Sequence, residues 1–192
     1  IYPKIYHFID KFKEKDLINL ESNIALIYRN YKKKVNLAEL IELKKFCKLN
    51  NRWLFLSNNI KVAINLDFDG AYIPSFNKSF LHNGYCLKKK FVLIGSAHTL
   101  KDIKIKEKQK CKIIFLSPIF KTNKNKNFLD IFRFRSLSSL VSLSTSIIAL
   151  GGINQKNIKR LYFLKINGFA SISFIKKNRP RIKILGRYFN FY

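Results

Sequence analysis

The stretch "SIIALGGINQKN", residues 146–157, sets the reading of this chain. Apolar residues run straight into Gly151 and Gly152, and a polar, amphipathic segment follows from Asn154. A short β-branched and apolar run has the composition of a strand buried on both faces, as in a parallel sheet. Two glycines directly behind it mark a tight turn or a close backbone approach. The chain has only seven glycines, so two of them here carry information.

Working outward, seven further runs of the same kind recur, and polar stretches of helical character separate most of them. In all, the strands expected are Lys4–Ile9, Ile24–Tyr28, Trp53–Leu56, Gly70–Ile73, Phe91–Ile94, Ile113–Leu116, Ile147–Leu150 and Phe169–Ser173. The clearest helix is Leu37–Leu49, with Leu37, Leu40, Ile41, Leu43 and Cys47 mostly on one face and Lys44, Lys45 and Lys48 among the polar positions. Eight strands alternating with helices predict an α/β fold, the (β/α)8 TIM barrel, in a single compact domain. A chain of 192 residues is short for that fold. Loops must then be short and at least one helix stunted, with Asn59–Leu66 the expected one. The barrel is placed at residues 1–178 and a basic aromatic tail at residues 179–192, where Arg179, Arg181 and Arg187 alternate with Ile182, Tyr188 and Phe189.

Composition narrows the function. With 47% hydrophobic residues the chain can bury a core, and no apolar run approaches the ~20 residues of a membrane span. The opening Ile1-Tyr2-Pro3-Lys4 carries no signal-peptide pattern, so a cytoplasmic location is expected. Cys47, Cys86 and Cys111 are odd in number and show no paired spacing, which reads as reduced thiols and neither a disulfide nor a metal site. A net charge of +27 invites a nucleic-acid reading, but 30 lysines stand against 8 arginines and they spread along the whole chain. Phosphate and base recognition favours Arg, so a solvated lysine surface accounts for the charge better. The excess still attracts small anions.

In a (β/α)8 barrel the loops after strands 7 and 8 commonly bind phosphate. Gly151 and Gly152 stand at the first of these places, with backbone N–H groups able to approach an anion and a following helix to add its positive end. Ser171-Ile172-Ser173 stand at the second.

At this point the chain resembles the thiamine phosphate synthases and the related thiazole tautomerases. "IALGGINQKN" resembles their seventh-strand motif, "IYHFID" the first strand, and "ALIYRNY" the second-strand segment. "FLSNNIKVAINLDFDGAYIP" resembles the third strand through the fourth, "LIGSAHTLKDI" the fifth, "FLSPIFKT" the sixth and "GFASISFI" the eighth. The resemblance covers residues 4 to 175. It implies coupling of a pyrimidine methyl diphosphate to a thiazole phosphate, with loss of pyrophosphate. It also implies roles residue by residue. Arg29 and Ser96 would hold the diphosphate, with His98 close behind. Thr122 would sit near the thiazole, and Gly151, Gly152, Ile172 and Ser173 would cradle its phosphate. Small phosphorylated substrates are the partners implied, with no membrane or nucleic acid; a homo-oligomer is left open.

The departures from the family pattern are as specific. Ile27 and Tyr31 stand where Gln and Lys flank the Arg, and Ser57-Asn58 where the family has Asn-Asp. Asn77 replaces a second Asp. The resemblance implies Mg2+ at the positions of Asn58 and Asn77, but two formal charges are gone from them, and Mg2+ prefers carboxylate and phosphate oxygens. A further family Lys falls on Asn125, flanked by Lys124 and Lys126, and Pro118 takes the place of the tautomerase His. Lys32, Lys124 and Lys126 are therefore candidates to neutralise the diphosphate directly. A phosphate-binding relative without catalysis stays open as the second reading, and a nucleic-acid-associated protein using the Lys176–Tyr192 segment as the third.

Overall fold

A computed structural model describes residues 2–31, 36–123 and 127–171. Eight parallel strands close on themselves in sequence order, β1 through β8, with β8 paired back to β1. They are β1 (Ile5–Ile9), β2 (Ile24–Tyr28), β3 (Leu54–Ser57), β4 (Gly70–Ile73), β5 (Val92–Ala97), β6 (Ile113–Leu116), β7 (Ser146–Leu150) and β8 (Gly168–Ser171). The predicted barrel is thus observed, and each expected strand overlaps an observed one. The tail expected at residues 179–192 lies outside the described residues.

The strands are only four to six residues long, so few side chains must fill the interior. Aromatic rings do it. Tyr6 and Phe115 meet edge to face at 4.9 Å, Phe8 and Tyr72 at 5.3 Å, and Tyr72 and Phe115 at 5.7 Å between centroids. Such packing fills volume with directional ring contacts. Small residues face the large ones. A Cβ at Gly70 would lie 2.8 Å from the Phe55 ring and 2.0 Å from the Val92 carbonyl oxygen, so only glycine fits there.

The outer layer is thinner than a full barrel's. It holds α1 (Glu14–Leu17), α2 (Leu37–Leu49), α3 (Ile60–Asn65), α4 (Leu100–Lys108) and α5 (Asp130–Ser138). Helix α2 has the predicted bounds, but Leu37 and Ile41 are exposed and Phe46 joins Leu40, Leu43 and Cys47 against the barrel. Helix α3 is stunted as expected. It is not alone: α1 has four residues, and the β4–β5 and β7–β8 crossovers carry only the 3-10 turns Leu81–Gly84 and Ile158–Phe163. The α-helix expected behind Gly152 is therefore absent. The Asn154 side chain accepts the N–H of Lys156 at 2.8 Å, and Asn157 Oδ1 accepts the N–H of Asn154 at 2.8 Å. These local bonds give the backbone an alternative to a helix.

Side-chain caps start α2, α3 and α4, and so fix the loops after β2, β3 and β5. Asn36 accepts the N–H of Glu39, and Asn59 that of Val62. Thr99 accepts the N–H of Asp102, whose carboxylate returns to the N–H of His98 at 3.1 Å. Glu39 then ties α2 to the barrel mouth, accepting the N–H of Phe12 at 2.6 Å and the hydroxyl of Tyr28 at 3.1 Å. At the opposite end, buried Arg52 closes the chain ahead of β2 by donating to the carbonyls of Leu20, Glu21 and Ile24. No helix among the described residues is long and apolar enough to cross a membrane.

Candidate active site

Among the described residues, those singled out from sequence stand at or just past the C-terminal ends of their strands. Arg29 follows β2 directly. Its N–H donates to the Ile9 carbonyl at 2.7 Å, and its guanidinium lies 4.6 Å from the Phe8 ring centroid. The cation therefore lies against a ring of the barrel interior. It is half-buried, and no ion pair among the described residues includes it. A half-buried cation without a carboxylate is suited to an external anion.

Ser96, on β5, is buried beside Tyr72 of β4. Burial pushes the Tyr72 phenol up to about 12, while Ser96 and the charge of Arg29 act in the other direction. Tyr72 is thus a neutral hydroxyl at working pH. His98, two residues past Ser96, is pinned through Nδ1 to the Ser117 carbonyl at 2.7 Å, with the Ser117 hydroxyl at 3.3 Å. The Ser117 carbonyl can only accept, so Nδ1 carries a proton in this bond.

Gly151 and Gly152 have φ of +99° and +70°, a region L side chains rarely adopt. The loop after β6 packs onto them. Ile119 and Phe120 donate to the carbonyls of Leu150 and Gly151, and a Cβ on Gly152 would lie 2.4 Å from the Phe120 carbonyl oxygen. The glycines thus serve a close backbone approach, and Pro118 is the residue that crosses Gly151. Their own N–H groups find no acceptor among the described residues, and N–H groups at such a turn can receive an anion. Gly152→Ala is expected to cost about 2 kcal/mol from backbone strain and this overlap, read as a lowered urea midpoint. Thr122 is half-buried in the same loop. Ile172 and Ser173, with Lys32, Lys124 and Lys126, lie outside the described residues.

The metal reading meets a contrary geometry. Asn77 Nδ2 donates to Asn58 Oδ1 at 2.8 Å, and Asn77 Oδ1 accepts the N–H of Ser79 at 2.9 Å. The Asn77 nitrogen thus faces Asn58, and both side-chain oxygens already accept a hydrogen bond. Among the described residues, no three His, Cys, Asp or Glu side chains gather as a metal site. The donor set at Asn58 and Asn77 does not fit Mg2+, which calls for six oxygens in near-octahedral array.

Sequence reasoning missed several partners. Tyr31 bonds Ser57 through its hydroxyl at 2.8 Å and sets its ring edge-on to Phe76 at 5.5 Å. Ser117 orients His98, and buried Lys106 binds the carbonyls of Pro74 and Asn77. The one available signal was position: Ser57, Phe76 and Ser117 all stand at or just past strand ends.

A family model described as thiamine monophosphate synthase matches residues 19–175. A thiamine-phosphate synthase of Prochlorococcus marinus is 26% identical over 164 residues, covering 83% of this chain and 47% of that relative. The chain thus spans about half the length of that relative. A putative thiamine-phosphate synthase 2 of Aquifex aeolicus is 29% identical over 184 residues, covering 89% of this chain and 96% of its own length. The solved thiamine phosphate pyrophosphorylase of Pyrococcus furiosus superposes with a TM-score of 0.75 at 17% identity, covering 97% of this chain and 96% of that one.

Proposed function

The chain belongs to the thiamine monophosphate synthase family, and we propose that it couples a pyrimidine methyl diphosphate to a thiazole phosphate, a transferase acting on small phosphorylated substrates in the cytoplasm. The observation that carries the reading is that, at one barrel mouth, Arg29 has no ion pair and the N–H groups of Gly151 and Gly152 have no acceptor among the described residues. Two anion-receptive places suit two phosphorylated substrates.

In the proposed step the bond from the pyrimidine methylene carbon to the diphosphate oxygen breaks, and its electron pair leaves with pyrophosphate. The thiazole nitrogen lone pair then forms the new C–N bond. Arg29 stabilises the charge that develops on the leaving group, and the Ser96 hydroxyl donates to it. Gly151 and Gly152, with Thr122, hold the thiazole phosphate so that its nitrogen lies near the reacting carbon, which lowers the entropic part of the barrier. The residues at Asn58 and Asn77 do not fit Mg2+, and no step is routed through it.

The test supplies both substrates to the purified chain and reads thiamine phosphate by fluorescence after oxidation. Product that falls about 100-fold with Ser96→Ala is expected. No product from folded protein with both substrates intact would overturn catalysis. The amide pair at Asn58 and Asn77 would then favour the second reading, a binding-only relative.

A further inference from the structure

We propose that this chain binds the leaving diphosphate without a divalent cation, the place between the ends of β3 and β4 being closed by the Asn58–Asn77 amide pair. The inference rests on the function proposed above. Its first support is the orientation of the two amides. The Ser79 N–H can only donate, so the Asn77 atom facing it at 2.9 Å is Oδ1. That leaves Nδ2 toward Asn58, whose facing atom at 2.8 Å must then be Oδ1. An amide nitrogen has no lone pair to offer a metal.

The second support is that Asn77 is held in this posture. Its N–H donates to the Pro74 carbonyl at 3.0 Å, and its own carbonyl accepts from Lys106 Nζ at 2.8 Å and Gln109 Nε2 at 3.1 Å. Turning the amide over would set its nitrogen against the Ser79 N–H. Asn58 is fixed too, with φ of +59° and its N–H on the Tyr72 carbonyl at 2.8 Å.

The third support is that the departures from the family pattern satisfy one another. Tyr31 with Ser57, and Asn58 with Asn77, make two hydrogen bonds among four uncharged side chains. Asp102, in the first turn of α4, is a nearby carboxylate, and it is engaged by Lys78 and the N–H of His98. A diphosphate beside two carboxylates needs a cation between them. Beside neutral amides it meets Arg29 without that repulsion.

Calorimetric titration of the full chain with inorganic pyrophosphate, in EDTA and then in magnesium, tests this. Affinities within about threefold of each other are expected. The double variant Asn58→Asp with Asn77→Asp is expected to bind about tenfold more weakly in EDTA and to regain affinity with magnesium. Binding of the unaltered chain only with magnesium would overturn the inference and leave the proposed function standing. Equal binding of the double variant in EDTA would overturn it as well, since the pair would not face the anion. No binding under either condition would overturn both.

Discussion

Arg29→Ala is expected to lower kcat/KM for the proposed coupling about 1000-fold, with a much smaller effect on the unfolding midpoint. Each tenfold corresponds to about 1.4 kcal/mol of transition-state stabilisation, and one well-placed donor to a developing anion supplies about 3 to 4 kcal/mol. Two features put Arg29 at the upper end. Its guanidinium is half-buried against the Phe8 ring at 4.6 Å, where water screens it poorly. And the amides of Asn58 and Asn77 supply no carboxylate-bound ion to share the task. Stability should fall by no more than about 2 kcal/mol, because Arg29 makes no ion pair among the described residues and a partly desolvated ring contact contributes about 1 to 2 kcal/mol. Arg29→Lys is the informative companion. It keeps the charge but loses the planar fork and the stacking geometry, so about a tenfold loss is expected. Steady-state kinetics beside a thermal melt reads both. An alanine variant within threefold of the unaltered chain would remove Arg29 from the site.

Much of the barrel was legible because its strands are short apolar runs, and burial on both faces leaves little ambiguity in such runs. Trp53–Leu56 and Ile147–Leu150 are such runs, each bounded by a polar residue on one side and by a polar residue or glycine on the other. The crossovers were less legible. In residues 154–163 the polar-apolar pattern suits a helix, yet the side chains of Asn154 and Asn157 bond the local backbone and leave only a 3-10 turn. Between β4 and β5 the chain is held by side chains from elsewhere, chiefly Lys106 and Gln109, which no local pattern announces. The site shows the same division. Single positions such as Arg29, Ser96 and Gly152 could be placed from their motifs. Their pairings could not: Tyr31 meets Ser57 across 26 residues and Asn58 meets Asn77 across 19. The losses at these positions therefore looked like separate vacancies in the sequence and turn out to be filled by each other. Gly151 and Gly152 pointed to a phosphate, and the sequence held no sign that the loop after β6 also leans on them.

Lys106→Met is expected to destabilise the chain by about 2 kcal/mol at neutral pH and by about 5 kcal/mol near pH 10. Lys106 is fully buried on α4, and its three N–H bonds go to the Pro74 carbonyl at 2.9 Å, the Asn77 carbonyl at 2.8 Å and Gln109 Oε1 at 2.8 Å. Methionine keeps most of the stem that packs on Gly95 but leaves the Pro74 carbonyl and Gln109 Oε1 without that donor. A buried acceptor stripped of its partner costs about 1 to 3 kcal/mol. Part of this is offset at neutral pH, because the lost ammonium was itself expensive to bury. The pH dependence exposes that offset. Burial lowers the Lys106 pKa from 10.5 to about 8, with the charge of Lys78 adding to the shift and Cys111 and Asp102 opposing it. Below pH 8 both folded and unfolded chains carry the proton. Between about 8 and 10.5 the unfolded chain holds it and the folded chain does not, so stability rises with pH by on the order of 3 kcal/mol in total. The methionine variant lacks this rise. Urea unfolding of both proteins at several pH values therefore reads the lysine together with the smaller changes that its removal makes at Lys78, Cys111 and Asp102. A gap that widens through this window places a neutral amine in the folded chain at high pH. A gap that narrows would mean that the fold prefers the charged form, and that the loop carrying Asn77 is held by an ammonium ion throughout.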